Sequence, residues 1–407
     1  MKRVLRVGFL SLCSVILVFA IWGCDTLLTK APLGLDTLES PFEGMSNALN
    51  ATFIRGDENF DRVFTVRDGL GPIFNQPSCG TCHPGDGRGK GLTGLLTRFS
   101  RGADLLPLMG GPQLQDRAIP GVTPERLPPG VDTSLRLAPP VFGMGLIEAI
   151  PEETILNLAD PNDRNGDGIS GRVNMVEPAD FVPPTEIGSG PGLRLGRFSR
   201  KSQVSSILQQ VAGAYHQDMG VTSDFLPTEN SHPQAGGTTA MGDQVADPEI
   251  PARIVLETVA YVRLLAPPRR GEITEEVRKG ETLFMSMGCA SCHVPSLRTG
   301  PSPVPQLSNV EARLYSDLLL HDLGPALADN RPDGEANGFE WRTTPLWGLR
   351  LVAENLGGTP FFLHDGRTSD LSEAIRLHGG EAEKTRRAFV GLSETDRGGV
   401  MVFLNSL

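Results

Sequence analysis

The chain has 407 residues, enough for two ordinary domains. Glycine (48) and proline (33) make up a fifth of it, yet 39% apolar residues suffice for a core, so short helices joined by ordered loops are expected. A coiled coil, a collagen-like fibre and a multi-span membrane protein are excluded. The net charge of −11 makes nucleic acid an unexpected partner.

At the N-terminus, Lys2, Arg3 and Arg6 precede an uncharged run from Val7 to Gly23. That is the pattern of an export signal over residues 1–23. Ile21-Trp22-Gly23-Cys24 resembles the lipobox of bacterial lipoproteins, which would place lipidation on Cys24; an uncleaved N-terminal anchor is the alternative. Either reading puts the folded part in the periplasm or on the outer face of a membrane. Residues 24–45 have little periodicity and read as a tether.

Next comes a helical run from Gly56 to Phe64, and then Cys79-Gly80-Thr81-Cys82-His83. This is C-x-x-C-H, the attachment motif of haem c. Two thiols three positions apart reach the two vinyl groups of one porphyrin, and the following histidine sits beneath the iron. Arg136 to Gly143 forms the facing segment, with Met144 as candidate sixth ligand and Met109, Met219 and His216 as rivals. Glu148 follows as a candidate acid/base group. Asp163, Asn165, Asp167 and the Ile169 carbonyl match the start of a calcium loop, although Asn174 stands where a twelfth-position glutamate is usual. A metal-free turn is the other reading. An apolar helix from Ile254 to Leu265, stopped by Pro267-Pro268, closes this half.

The second half repeats the plan. Gly280 to Phe284 leads into Cys289-Ala290-Ser291-Cys292-His293, a second C-x-x-C-H. Arg342 to Gly348 corresponds to Arg136 to Gly143. His364 is the first candidate sixth ligand here, with His321 and His378 next. Glu373 is a candidate acid/base group, and Arg367 is a candidate for stabilising developing negative charge. Val400 to Leu407 closes the chain. His83 to Tyr261 spans 178 residues and His293 to Phe403 spans 110. The first half therefore carries an insertion, placed at about 155–250.

Competing uses of the cysteines fit less well. Disulfides are natural outside the cytoplasm, but two C-x-x-C loops each followed by His make an odd framework. A zinc site would have to join pairs about 200 residues apart and has no need of the histidines. A thioredoxin-like dithiol needs only one motif. The expected fold is mainly α, with two cytochrome c-like haem domains in tandem (46–268 and 269–407) and long Gly/Pro-rich loops. The cofactors are two covalently bound haem c groups, with calcium as a further candidate.

The segments Leu320-His321-Asp322-Leu323-Gly324, Glu340-Trp341-Arg342-Thr343-Thr344-Pro345-Leu346-Trp347-Gly348, Phe362-Leu363-His364-Asp365-Gly366-Arg367 and His378-Gly379-Gly380-Glu381-Ala382 resemble the bacterial dihaem c-type oxidoreductases, named for peroxidase or thiol oxidoreductase activity. Asp86-Gly87-Arg88-Gly89 and Ile147-Glu148-Ala149-Ile150-Pro151 extend the likeness into the first half. The chain is more distantly similar to dihaem cytochrome c peroxidases. This resemblance implies one electron-feeding haem, one reaction site, a calcium ion between the haem domains, and a redox donor such as a cytochrome, a cupredoxin or a quinol-linked protein. It leaves open whether the chain reduces a small oxidant such as hydrogen peroxide, only shuttles electrons between six-coordinate haems, or senses or carries a gas.

Overall fold

The computed structural model describes residues 37–91, 93–235 and 245–407. The leader over 1–23, Cys24 and the first part of the tether lie outside them. Among the described residues, no helix is long and apolar enough to cross a membrane. The structure is 34% helix and 12% strand, so it is mainly α, and among the described residues the strands form five separate two-stranded antiparallel ladders.

Two helix pairs build the frame, and both follow one rule. The helix Asn47–Asp61 crosses Ala252–Leu264, and the helix Glu275–Ser286 crosses Glu394–Leu404. Each opens on a residue that fits a helix start: Ser46, Thr274 and Ser393 accept a backbone N–H through their side chains, and Pro251 precedes the fourth. The crossings are close because glycines lie at them. A Cβ on Gly56 would fall 2.2 Å from the Glu257 carbonyl oxygen, and one on Gly280 would fall 2.0 Å from that of Gly399. Four residues on, Phe60 packs on Tyr261 (ring centroids 5.4 Å apart) and Phe284 on Phe403 (5.1 Å).

A smaller core lies wholly in the second half, around Val277, Phe284, Phe389 and Phe403. The larger core gathers Phe53, Phe60, Tyr215 and Tyr261, and also takes in Leu297, Leu314, Leu319 and Trp347 from beyond residue 269. The halves thus share apolar packing. At their junction the contact is reciprocal. A Cβ on Gly143 would meet the Trp347 ring at 2.4 Å, and one on Gly348 would meet the Phe142 ring at 2.5 Å. Both glycines have left-handed φ, 74° and 77°, as the backbone turns from the facing segment into a helix. The region of the expected insertion holds the hairpin Met175–Val176/Arg194–Leu195 and the helix Ile207–Met219, which packs on Ala252–Leu264.

Candidate haem sites

The first motif forms one helical turn, Cys79–Cys82, capped by the Ser78 hydroxyl, which accepts from Thr81 N at 3.2 Å. The second forms a 3₁₀ turn, Cys289–Ser291, opened by Gly288 at φ 90°. The two histidines are then held in the same way. His83 Nδ1 donates to the Pro139 carbonyl (2.7 Å) and His293 Nδ1 to the Tyr315 carbonyl (2.9 Å). A proton fixed on Nδ1 leaves the lone pair on Nε2, the state an iron ligand needs. Burial lowers both rings to about pKa 4, so both are neutral at physiological pH. Phe60 lies 6.1 Å from the His83 ring and Phe284 lies 6.3 Å from that of His293.

Each motif borders its own cavity. The first, of 640 Å³, is lined by Cys79, Cys82 and His83; the second, of 190 Å³, by Cys289, Cys292 and His293. The four thiols are unpaired and the two pairs do not converge, which removes the disulfide and single-zinc readings. Burial raises all four thiols, Cys82 and Cys289 to about 12, so none is a reactive thiolate. The walls are mainly apolar and the donor sets repeat, so the residues fit one haem in each cleft.

Beyond the motifs the linings of the two sites differ. The first cavity is bordered by Met144, Met219 and His216, whose Nε2 bonds to the Thr228 carbonyl at 2.8 Å; Met109 does not border it. The second is bordered by His321, His364 and His378, and its one methionine, Met287, stands two residues before Cys289. His364 is buried and stacks on Trp341 at 3.6 Å and 11°. Its Nε2 is 3.7 Å from Asp365, and burial lowers its pKa to about 3. Both nitrogens of His321 are committed, Nε2 to Asp317 (2.8 Å) and Nδ1 to Glu381 (2.7 Å). Burial opposes its charge, but hydrogen bonds to Asp317, Cys292 and Glu381 outweigh burial and hold it as an imidazolium. His378 bonds through Nδ1 to the Ala374 carbonyl (2.7 Å), which repeats the pattern of His83 and His293.

The structure brings none of the three acid/base and electrostatic candidates to a cavity. Glu148 is buried against Arg263 (2.6 and 3.1 Å), a partner 115 residues away, and its role there is an ion pair. Glu373 sits beside Arg376 on the helix Leu371–Arg376, half exposed. Arg367 grips Asp365 and the Ala326 carbonyl. The acid/base pair that does border the second cavity is His321–Glu381. His321 stands in the sequence only as a candidate sixth ligand, and Glu381 is marked there by no more than its place in the His378-to-Ala382 segment.

In the calcium-like loop the oxygens turn onto the loop's own backbone. Asp163 accepts from Gly168 N, Asp167 from Ile169 N and Asn165 from Asp167 N. Asn174 is buried elsewhere, bonded to the Lys201 and Asp333 carbonyls. Among the described residues, the acidic, histidine and cysteine groups with ligand atoms within 4.8 Å are Cys292–Asp317–His321 and Glu229–Asp247–Glu249, and this loop is not one of them.

A set of buried cations was not read as such in the sequence, although Arg88 and Arg342 lie in quoted segments. Arg200 and Arg342 border both cavities, Arg88 the second and Arg98 the first. Burial lowers Arg88, Arg98 and Arg342 to about 10, so all three stay charged. That the four converge on the cavities depends on the fold and cannot be read from any one segment.

No curated protein matches the chain. Among solved structures it is similar to hydrazine synthase from Kuenenia stuttgartiensis, at 15% identity and TM-score 0.37 over 93% of this chain and 96% of that one. A MauG-like protein associated with microbial copper homeostasis matches at 14% identity and TM-score 0.39, over 93% and 94%. The family model described as "Di-haem oxidoreductase, putative peroxidase" matches residues 121–407, which takes in the second motif and most of the chain, and the protein therefore belongs to the dihaem oxidoreductase family.

Proposed function

We propose that this is an exported c-type cytochrome with two haem domains, 46–268 and 269–407, each holding one covalently bound haem. In this reading it takes single electrons from a redox protein and delivers them to a small oxidant of the peroxide type. The observation that carries it is the paired arrangement of the motifs. Each C-x-x-C-H borders a separate cavity with its histidine neutral and Nδ1 fixed by a carbonyl. Bound haem would supply one-electron chemistry and, where a coordination position stays open, a place for the oxidant.

The two cavities support different roles. Met144 and Met219 give the first a thioether partner suited to electron entry. The second offers histidines and the His321–Glu381 pair. Glu381 and the imidazolium can hold and pass a proton beside the oxidant, while Asp317 keeps His321 charged and oriented. Apolar residues Leu323, Leu327 and Phe362 limit water there. Lipidation at Cys24 would tether the chain to a membrane, which suits a donor in the same compartment.

The test is production in a host that matures c-type cytochromes. The expected product has two haems by mass and by haemochrome absorbance, one of them lost from a Cys79→Ser/Cys82→Ser variant and the other from Cys289→Ser/Cys292→Ser. Reduced protein should be reoxidised by hydrogen peroxide, and His321→Gln should slow that step while leaving both haems attached. A colourless product defeats the assignment. Two haems with no peroxide reaction would leave a pure electron shuttle.

A further inference from the structure

Between the two cavities lies a wall rich in buried positive charge. Arg136, Lys201 and Arg331 in this wall are paired: Arg136 with Asp333 (2.6 Å) and Asp329 (3.2 Å), Lys201 with Asp329 (2.7 Å), Arg331 with Asp333 (2.6 Å). Those two carboxylates are thereby used. Arg88, Arg98, Arg200 and Arg342 remain, and among the described residues none has a carboxylate within 4 Å.

The anchoring of these four is partial. Arg200 donates Nε and NH2 to one carbonyl, that of Leu137 (3.1 and 2.7 Å). Arg342 donates Nε to the Ser199 carbonyl (3.1 Å), while its buried NH1 has no partner. Arg88 reaches the Phe361 carbonyl at 3.4 Å and leaves Nε unpartnered, as does Arg98. Arg88, Arg200 and Arg342 are 6–7% exposed. A buried guanidinium without an anion costs several kcal/mol. The backbone also accepts strain here: Ser199 (φ 69°) and Ser202 (φ 53°), both left-handed and neither glycine, flank Arg200 and Lys201.

Resting on the dihaem reading, we propose that Arg200 and Arg342 form a partition shared by both cofactors, each receiving propionate carboxylate from the first haem on one side and from the second on the other. Arg98 completes the first site and Arg88 the second. Two haems bring four propionates, and four arginines await anions. Arginine suits the task because its planar fork meets a carboxylate with two parallel N–H groups. The partition ties the two redox centres through common charges, so a change in one arginine is felt at both irons.

The experiment uses the mature dihaem protein and a spectroelectrochemical titration of both midpoint potentials, with each haem assigned by the one-motif serine variants. Removing a positive charge favours the oxidised form. Arg342→Gln and Arg200→Gln are expected to lower both potentials by about tenfold in the reduction equilibrium, or 59 mV for one electron. Arg98→Gln should lower only the first and Arg88→Gln only the second. Arg342→Lys and Arg200→Lys keep the charge and cover the case of a glutamine variant that fails to mature; they should shift both potentials in the same direction by less. Two bound haems whose potentials move singly, or not at all, in the Arg200 and Arg342 variants would overturn the partition. A wild-type protein with fewer than two haems would instead overturn the dihaem reading.

Discussion

Asp86 shows how a single side chain ties the site to pH. It is buried, and the Tyr261 hydroxyl donates to its Oδ2. Burial is the main cause that lifts its pKa to about 8, with Glu39, Asp57 and Asp61 adding repulsion. The folded chain thus keeps a proton that the unfolded chain releases near the ordinary value of 3.8. Stability from this group is complete below about pH 4, falls as pH rises, and is spent by about pH 8. Asp86→Asn keeps an acceptor for Tyr261 and removes the titration. Thermal unfolding at pH 5 and pH 8 should show a smaller difference in Tm for the variant than for the parent; equal differences would mean that Asp86 is ionised in the folded protein. What was legible beforehand at this level is local: two cysteines and a histidine adjacent in the sequence border one cavity in the structure, once in each half. Glu148 is placed away from either cavity by its pairing with Arg263, a partner that no spacing reveals.

The crossed helices explain why the motifs sit where they do. Gly56 and Gly280 let each pair approach closely, and Phe60 and Phe284, one turn later, reach the histidine rings. Alanine at either glycine forces its methyl into a carbonyl, an overpacking cost of about 1–3 kcal/mol. Gly56→Ala should lower the denaturation midpoint and disturb the absorbance of the first haem alone; Gly280→Ala should do the same for the second. Disturbance of both by either variant would show that the helix pairs do not act separately. The closing helices were legible as apolar runs bounded by proline or by the chain end, and were placed within a few residues for the first. The second begins at Glu394 rather than near Val400, because Ser393 caps a polar first turn that an apolar pattern does not mark. The sixth-ligand candidates were harder to rank. His321, His364 and His378 all border one cavity, and only their hydrogen bonds, made by distant partners, distinguish them.

Across the whole chain, the repeat is read most directly where the halves meet. Phe142-Gly143 and Trp347-Gly348 are equivalent in sequence and interlock in space, each ring over the other half's glycine. Arg136 and Arg342 open these two segments and both end in the charged wall. Such a junction was invisible in the sequence, since it depends on how the repeats pair rather than on either alone. One feature beside it bears on how long the molecule lasts. The Trp341 indole has Lys201 Nζ 4.5 Å from its ring centre and the Arg136 guanidinium at 5.3 Å, with His364 stacked on it. Cations over a π face make an electron harder to remove. Trp347 is also buried, has no cation over its ring among the described residues and borders neither cavity. After repeated exposure to peroxide, peptide mass mapping should find oxygen added to Trp347 before Trp341, although Trp341 is the one that borders the second cavity. The reverse order would remove the shielding. With Trp347 oxidised first, the cations over Trp341 act as a guard that keeps oxidising equivalents out of the aromatic ring beside the second cavity.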